Sequence, residues 1–102
     1  MATLHTVNKS PFEKNSLASC LSHLQSGYAV LLFEDGVYGA LRGTTIASQV
    51  EGAARSGRVY VLGEDFKARG LDEGKIIEGI NVVDYAGFVD LAAECDRVQS
   101  WL

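Results

Sequence analysis

The chain has 102 residues, of which 47% are hydrophobic and 22% are charged, and its formal net charge is −4. This length and composition predict one globular domain over residues 1–102. The acidic balance argues against direct capture of nucleic acid, which requires clustered Lys and Arg. Because no apolar run approaches the roughly 20 residues of a membrane span and the N-terminus does not look like a signal peptide, we expect a cytoplasmic protein with no membrane partner.

Short apolar runs alternate along the chain with segments of helical periodicity, an order typical of βαβ units. Strands are predicted at residues 4–7, 29–33, 59–62 and 80–83. The second run, AVLLF, is continuously apolar, as expected of a strand that is buried on both faces of a parallel sheet. The predicted class is therefore α/β, with one parallel sheet of four to five strands, right-handed crossovers and helices on both faces.

Helices are predicted between these strands. The first begins at a capping box formed by Ser10 and Glu13, with Pro11 at the first helical position, and ends at Gly27. Others are predicted at residues 37–41, 46–54, 64–69 and 84–94. Asp84 is expected to cap the last of them.

Two cysteines, Cys20 and Cys95, are too few for a disulfide framework and are predicted to be thiols. Cys20 lies on a leucine stripe of the first helix, so core packing is one interpretation. The other is a reactive thiol, because His23 follows three residues later and an imidazole there could lower the thiol pKa or shuttle its proton. Cys95 shares the inward stripe of the last helix with Phe88 and Leu91 and is predicted to be structural.

The other candidate motifs predict no cofactor and no metal. The two histidines and two cysteines lack the spacing of a zinc site. Three glycines follow the second strand, but their spacing matches neither G-x-G-x-x-G nor the Walker pattern, and Glu34 and Asp35 would repel phosphate, so turns are the better interpretation. The same Glu-Asp step is only weakly suggestive of a magnesium site or of a receiver-like domain.

Several stretches resemble the DsrH/TusB family. They are LHTVNKSPF at residues 4–12, SLASCL at 16–21, LFEDGVY at 32–38, VVDYAGFV at 82–89 and VQSWL at 98–102. The resemblance implies a flavodoxin-like subunit of a heterohexamer that contains two copies each of three related chains. Its companions would be DsrE/TusD-like and DsrF/TusC-like subunits, and sulfur would leave as a persulfide to a DsrC/TusE-like acceptor.

The family branch decides the expected pathway. The first expectation is a DsrH-like subunit, not catalytic alone, that takes part in sulfur oxidation. The alternatives are a TusB-like subunit of the relay toward 2-thiouridine at the tRNA wobble position, or a purely architectural subunit without thiol chemistry. In the family the principal persulfide cysteine belongs to the DsrE/TusD-like partner. Cys20 matches a cysteine often found in the first helix of DsrH-like chains, so the resemblance implies that Cys20 is a secondary sulfur-carrying thiol.

The chain ends in Trp101-Leu102, and a terminal pair of this kind is frayed and wet unless something packs against it. We expect another subunit to contribute to the packing against this pair. Trp101 and Leu102 are therefore predicted interface residues.

Overall fold

A five-stranded parallel sheet forms the centre of the structure, a computed structural model that describes residues 2–102. The strands are β1 (Thr3–Val7), β2 (Tyr28–Leu32), β3 (Val59–Leu62), β4 (Asn81–Val83) and β5 (Arg97–Trp101). Their order in the sheet is β4-β3-β2-β1-β5, and all four neighbouring pairs are parallel. The predicted parallel α/β sheet is confirmed, and it has five strands, the larger of the two predicted numbers.

Helical segments cover both faces of this sheet, as predicted. The α-helices are α1 (Ser16–Ser22), α2 (Ala47–Ala54), α3 (Gly63–Ala68) and α4 (Tyr85–Glu94), and 3₁₀ helices span Glu34–Ala40 and Glu73–Lys75. Within residues 2–102, no helix has both the length and the apolar character needed to cross a membrane.

The alternation of side chains along each strand divides the core into two parts. On what we call the first face, Val7, Val30 and Val61 pack with α1, α2 and the longer 3₁₀ helix. On the second face, Leu4 and Leu31 pack with α4. The first face therefore has several covering elements, whereas α4 alone supplies the helical cover of the second.

The first helix is shorter than the sequence predicts. The Ser10 hydroxyl accepts a hydrogen bond from the Phe12 N–H, and the Glu13 and Lys14 N–H groups both donate to the Ser10 carbonyl. These bonds close an isolated turn and do not start a helix, so α1 begins only at Ser16. The prediction that Ser10 and Glu13 start the helix is therefore wrong, since the Ser10 hydroxyl bonds the N–H of Phe12, one residue closer than in a capping box.

β5 was not predicted from the sequence, although the predicted sheet of four to five strands left room for a fifth strand. β5 reads RVQSW, and four of its five residues are exposed because it lies at the edge of the sheet. Such a strand lacks the continuous apolar run that marks β2. The last helix, by contrast, has the predicted bounds, and the Asp84 carboxylate caps it by accepting from the Gly87 N–H at 2.8 Å.

Gly36 marks the closest approach between the longer 3₁₀ helix and the sheet. A Cβ atom at this position would overlap the carbonyl oxygen of Val7, at the end of β1. Gly36 is therefore required for close approach and not for a positive φ angle.

We expect Gly36→Ala to lower the free energy of unfolding by about 2 kcal/mol or more, since the overlap is with backbone that cannot move aside. The matched control is Gly52→Ala in α2, where an added Cβ meets nothing within 4 Å. This control should gain about 0.5–1 kcal/mol from helix propensity. Urea unfolding followed by Trp101 fluorescence measures both; equal effects would contradict the close approach.

Candidate functional site

Cys20 lies in the second half of α1, and its side chain points into the first-face core. The residue is 0% exposed and belongs to the same cluster as Leu17 and Val50. Burial raises the pKa of the Cys20 thiol to about 12, because a thiolate would lose its hydration there. The side chain is therefore a neutral thiol at physiological pH, without access to a sulfur donor in this conformation.

His23 does not bring its imidazole to the Cys20 sulfur. Its Nδ1 lies 2.7 Å from the Ser19 carbonyl oxygen, and its ring lies against Trp101 with 5.8 Å between centroids. The hydrogen bond it makes to Cys20 joins backbone atoms, from the His23 N–H to the Cys20 carbonyl at 3.0 Å. Burial alone accounts for the raised pKa of Cys20. The role of His23 as a modulator stays a prediction that this geometry does not favour.

A second histidine makes the contact that the sequence did not reveal. His5 is in β1, as expected for a residue filling a strand position, and the Trp101 indole N–H donates to its Nδ1 at 3.0 Å. Burial lowers the pKa of His5, so the ring is neutral near pH 7. Because Nδ1 accepts a hydrogen bond, the proton of the neutral imidazole is on Nε2.

Trp101 is half-buried through contacts within its own chain. It lies in β5, opposite Val7 in the register, and packs against the first-face core between His5 and His23. Its burial therefore does not itself require another subunit. Leu102 directly follows the strand and is 78% exposed. The interface role of Trp101 and Leu102 stays a prediction, with Leu102 as the residue left to be covered.

The two acidic residues after β2, Glu34 and Asp35, form hydrogen bonds and a salt bridge within the fold. Asp35 forms a salt bridge with Arg69 at 2.9 Å, and the Glu34 carboxylate accepts from the Asn8 side chain at 3.0 Å. The Glu34 N–H donates to the Asp65 carboxylate at 2.6 Å. Among residues 2–102, no three His, Cys, Asp or Glu side chains gather in a way that could hold a metal ion.

Cys95 occupies the second-face core together with Phe88 and Leu91, the three residues of the predicted inward stripe of α4. Its pKa is raised, chiefly by burial, while the Arg58 charge opposes that effect. The two thiols thus lie on opposite faces of the sheet, and both are buried.

Known proteins match this chain over nearly its whole length. The sequence model of the family described as "DsrH like protein" matches residues 9–98. The chain belongs to the DsrH/TusB family. Among its curated relatives, Protein TusB of Shigella flexneri is 36% identical over 98 residues, covering 96% of this chain and 99% of the relative. Protein TusB of Pectobacterium parmentieri is 35% identical with the same coverage.

Solved structures share the fold of this DsrH/TusB family member. The crystal structure of ychN protein from E. coli has a TM-score of 0.81 at 19% identity and covers 98% of this chain and 99% of that one. The protein MTH1491 from Methanobacterium thermoautotrophicum has a TM-score of 0.76 at 14% identity, with 96% and 97% covered. At these identities the likeness concerns the fold alone.

The raised pKa of Cys20 predicts slow alkylation. In a Cys95→Ser chain, where Cys20 is the sole thiol, the rate with iodoacetamide at pH 8 should be at least about 1,000-fold lower in the native state than in urea, since three pKa units separate the thiolate fractions. Mass spectrometry of timed samples measures both rates. A native rate within about tenfold of the rate in urea would mean that α1 opens readily and that the thiol is available.

Proposed function

We propose that this chain is a TusB-like, non-autonomous subunit of a cytoplasmic sulfur-relay heterohexamer. Its partners would be TusD/DsrE-like and TusC/DsrF-like chains, and the complex would pass sulfur to a TusE/DsrC-like acceptor. The curated relatives are called TusB, which favours the relay toward tRNA 2-thiouridine over the sulfur-oxidation branch that was the first expectation. Both branches remain within the one family.

The observation that carries a subunit role is the incomplete cover of the second face. One ten-residue helix, α4, lies on this face of a five-stranded sheet, and apolar side chains of the helix and of the edge strand stay in contact with water. Val89 on α4 is 65% exposed, and Val98 on β5 is 53% exposed. Val98 is on the second face because it pairs in register with Leu4. Exposed apolar residues grouped on one side favour a protein interface.

Tyr85 adds an aromatic residue to this surface. It precedes Val89 by four residues on α4, so the two side chains share a stripe, and Tyr85 is also exposed. Aromatic residues are enriched at the centres of protein interfaces. We define Tyr85, Val89, Val98 and Leu102 as the assembly surface and assign a related α/β subunit as its occupant.

For Cys20 we propose a packing role and no sulfur carriage of its own. A persulfide relay needs a thiolate that reaches its donor and then presents the outer sulfur to the next thiol. The burial and the raised pKa of Cys20 oppose both steps. Sulfur would then travel on the partner's cysteine, and this chain would shape the complex.

Charge placed on the assembly surface should weaken the heterohexamer. We expect Val89→Lys and Leu102→Asp, coexpressed with the TusC-like and TusD-like chains of the same genome, to lower the yield of complex by about tenfold or more, the size of effect expected when a buried interface position receives an unpaired charge. Size exclusion with native mass spectrometry measures the assembled fraction.

The matched control is Gln49→Lys, an exposed position on α2 on the opposite face of the sheet. It should assemble as the unaltered chain does. If all three variants form the complex equally well, the assembly surface is wrongly assigned; if the unaltered chain does not associate with these partners, the subunit proposal itself fails.

The Cys20 proposal makes its own prediction in the assembled complex. After incubation with a persulfide donor, intact mass should show no added sulfur on this chain, and Cys20→Ser should leave sulfur transfer to the TusE-like acceptor within about twofold of the unaltered complex, because an inert thiol contributes only packing. A one-sulfur increment on this chain that disappears in Cys20→Ser would establish the relay thiol instead.

A further inference from the structure

A polar cavity of about 210 Å³ lies on the first face, at the end of the sheet where the strands begin. Thr3, Tyr28 and Arg97, the first residues of β1, β2 and β5, pair in register and form its floor. The segment after α1, which includes His23, closes one side. Since a water molecule occupies about 30 Å³, the cavity has room for a small ion together with several waters.

The charge of this cavity is opposite to that of the chain. The protein carries 13 acidic and 9 basic residues, yet none of the eight described residues that line the cavity is acidic. Arg97 contributes a permanent positive charge. Among residues 2–102, no carboxylate lies within salt-bridge distance of its guanidinium. Arg97 is therefore an unneutralised cation at the mouth of a polar cavity.

His5 supplies a fixed donor at the inner wall. The residue is only 7% exposed, and the Trp101 N–H occupies its Nδ1. The proton of the neutral ring is thus held on Nε2, for which residues 2–102 provide no acceptor. Nε2 is not among the buried unpaired side-chain atoms of residues 2–102, so water or a ligand in the cavity can reach it and accept this hydrogen bond.

The remaining lining groups favour an acceptor-rich ligand. The side chains of Gln25, Ser26 and Gln99 carry N–H or O–H donors that, within residues 2–102, make no hydrogen bond to another residue. The Tyr28 hydroxyl differs because it donates to the Ala53 carbonyl at 2.9 Å. A site that combines several free donors with one cation and contains no carboxylate is suited to bind an anion.

We propose that this cavity binds a small oxyanion, with Arg97 and the Nε2–H of His5 as its principal contacts. The shared chemistry is a compact anion with several acceptor oxygens, which sulfur oxyanions and inorganic phosphate both provide. The inference rests on the cavity alone and is independent of the proposed sulfur relay. Cys20 takes no part in it, since that side chain is in the core and does not line the cavity.

Trp101 provides a local reporter, because it is the only tryptophan of the chain and donates to His5. The full chain is titrated with sulfate, thiosulfate and phosphate, each against sodium chloride at equal ionic strength. We expect a saturable change in Trp101 fluorescence, and in the NMR shifts of the His5 imidazole, with at least one of the three anions. The anion that binds most tightly distinguishes a sulfur oxyanion from phosphate.

Arg97→Gln should weaken binding about tenfold or more, the loss expected for one charge-assisted contact. The matched control is Arg55→Gln, which removes the same charge from an exposed position outside the cavity and should bind as the unaltered chain does. Unfolding in urea verifies that both variants are folded. The absence of a saturable response with all three anions, or equal weakening in the two variants, would overturn the proposal.

Discussion

The pairing of β1 with strands on both of its sides is the constraint on which the other features depend. β1 joins β2 and β5 over all five of its residues, so the first and last strands of the chain are neighbours. Pairing the first strand with the last closes a loop that comprises nearly the whole chain, which costs on the order of 4 kcal/mol in chain entropy. Reciprocal contacts between Ala2 and Asp96 help offset the cost: the Asp96 N–H donates to the Ala2 carbonyl at 3.0 Å, and the Ala2 N–H donates to the Asp96 carboxylate at 3.2 Å.

This pairing creates the polar cavity and adds Val98 and Leu102 to the assembly surface. It brings Arg97 beside Thr3 at the floor of the polar cavity and Trp101 near His5 at its inner wall. It also extends the second face by one strand, beyond the reach of α4, and thereby exposes Val98. A four-stranded sheet without β5 would have neither Arg97 and Trp101 at the cavity nor Val98 at the assembly surface.

The parts of the fold that were predictable are those governed by local pattern. The apolar run of β2 and the Asp84 cap of α4 each have a short-range signature, and both were identified from the sequence. The start of α1 was placed too early because the same residues at Ser10 can close a turn or cap a helix. Whether they form a turn or a helix cap depends on how the following residues pack, which a local pattern does not encode.

The candidate site was less predictable because its contacts are long-range. His5 and Trp101 are separated by 96 positions, and only the β1–β5 register brings them together. A partial signal was present, since His5 is a polar residue between the buried residues Leu4 and Thr6, and Arg97 and Gln99 are polar residues at alternate positions. Reading it would have required knowing that residues 97–101 form a strand, and their polarity concealed this.

Cys20 illustrates a limit of residue identity as a guide to chemistry. A cysteine and a histidine at i and i+3 share a side of a helix, but α1 ends at Ser22, so His23 leaves the helical path and its ring turns to Trp101. The same leucines that stabilise α1 against the sheet exclude water from the thiol, and exclusion of water is what raises its pKa. Stability of this helix and reactivity of its cysteine are therefore opposed. A reactive thiol here would require α1 to separate from the first-face core, at the cost of the packing that holds it in place.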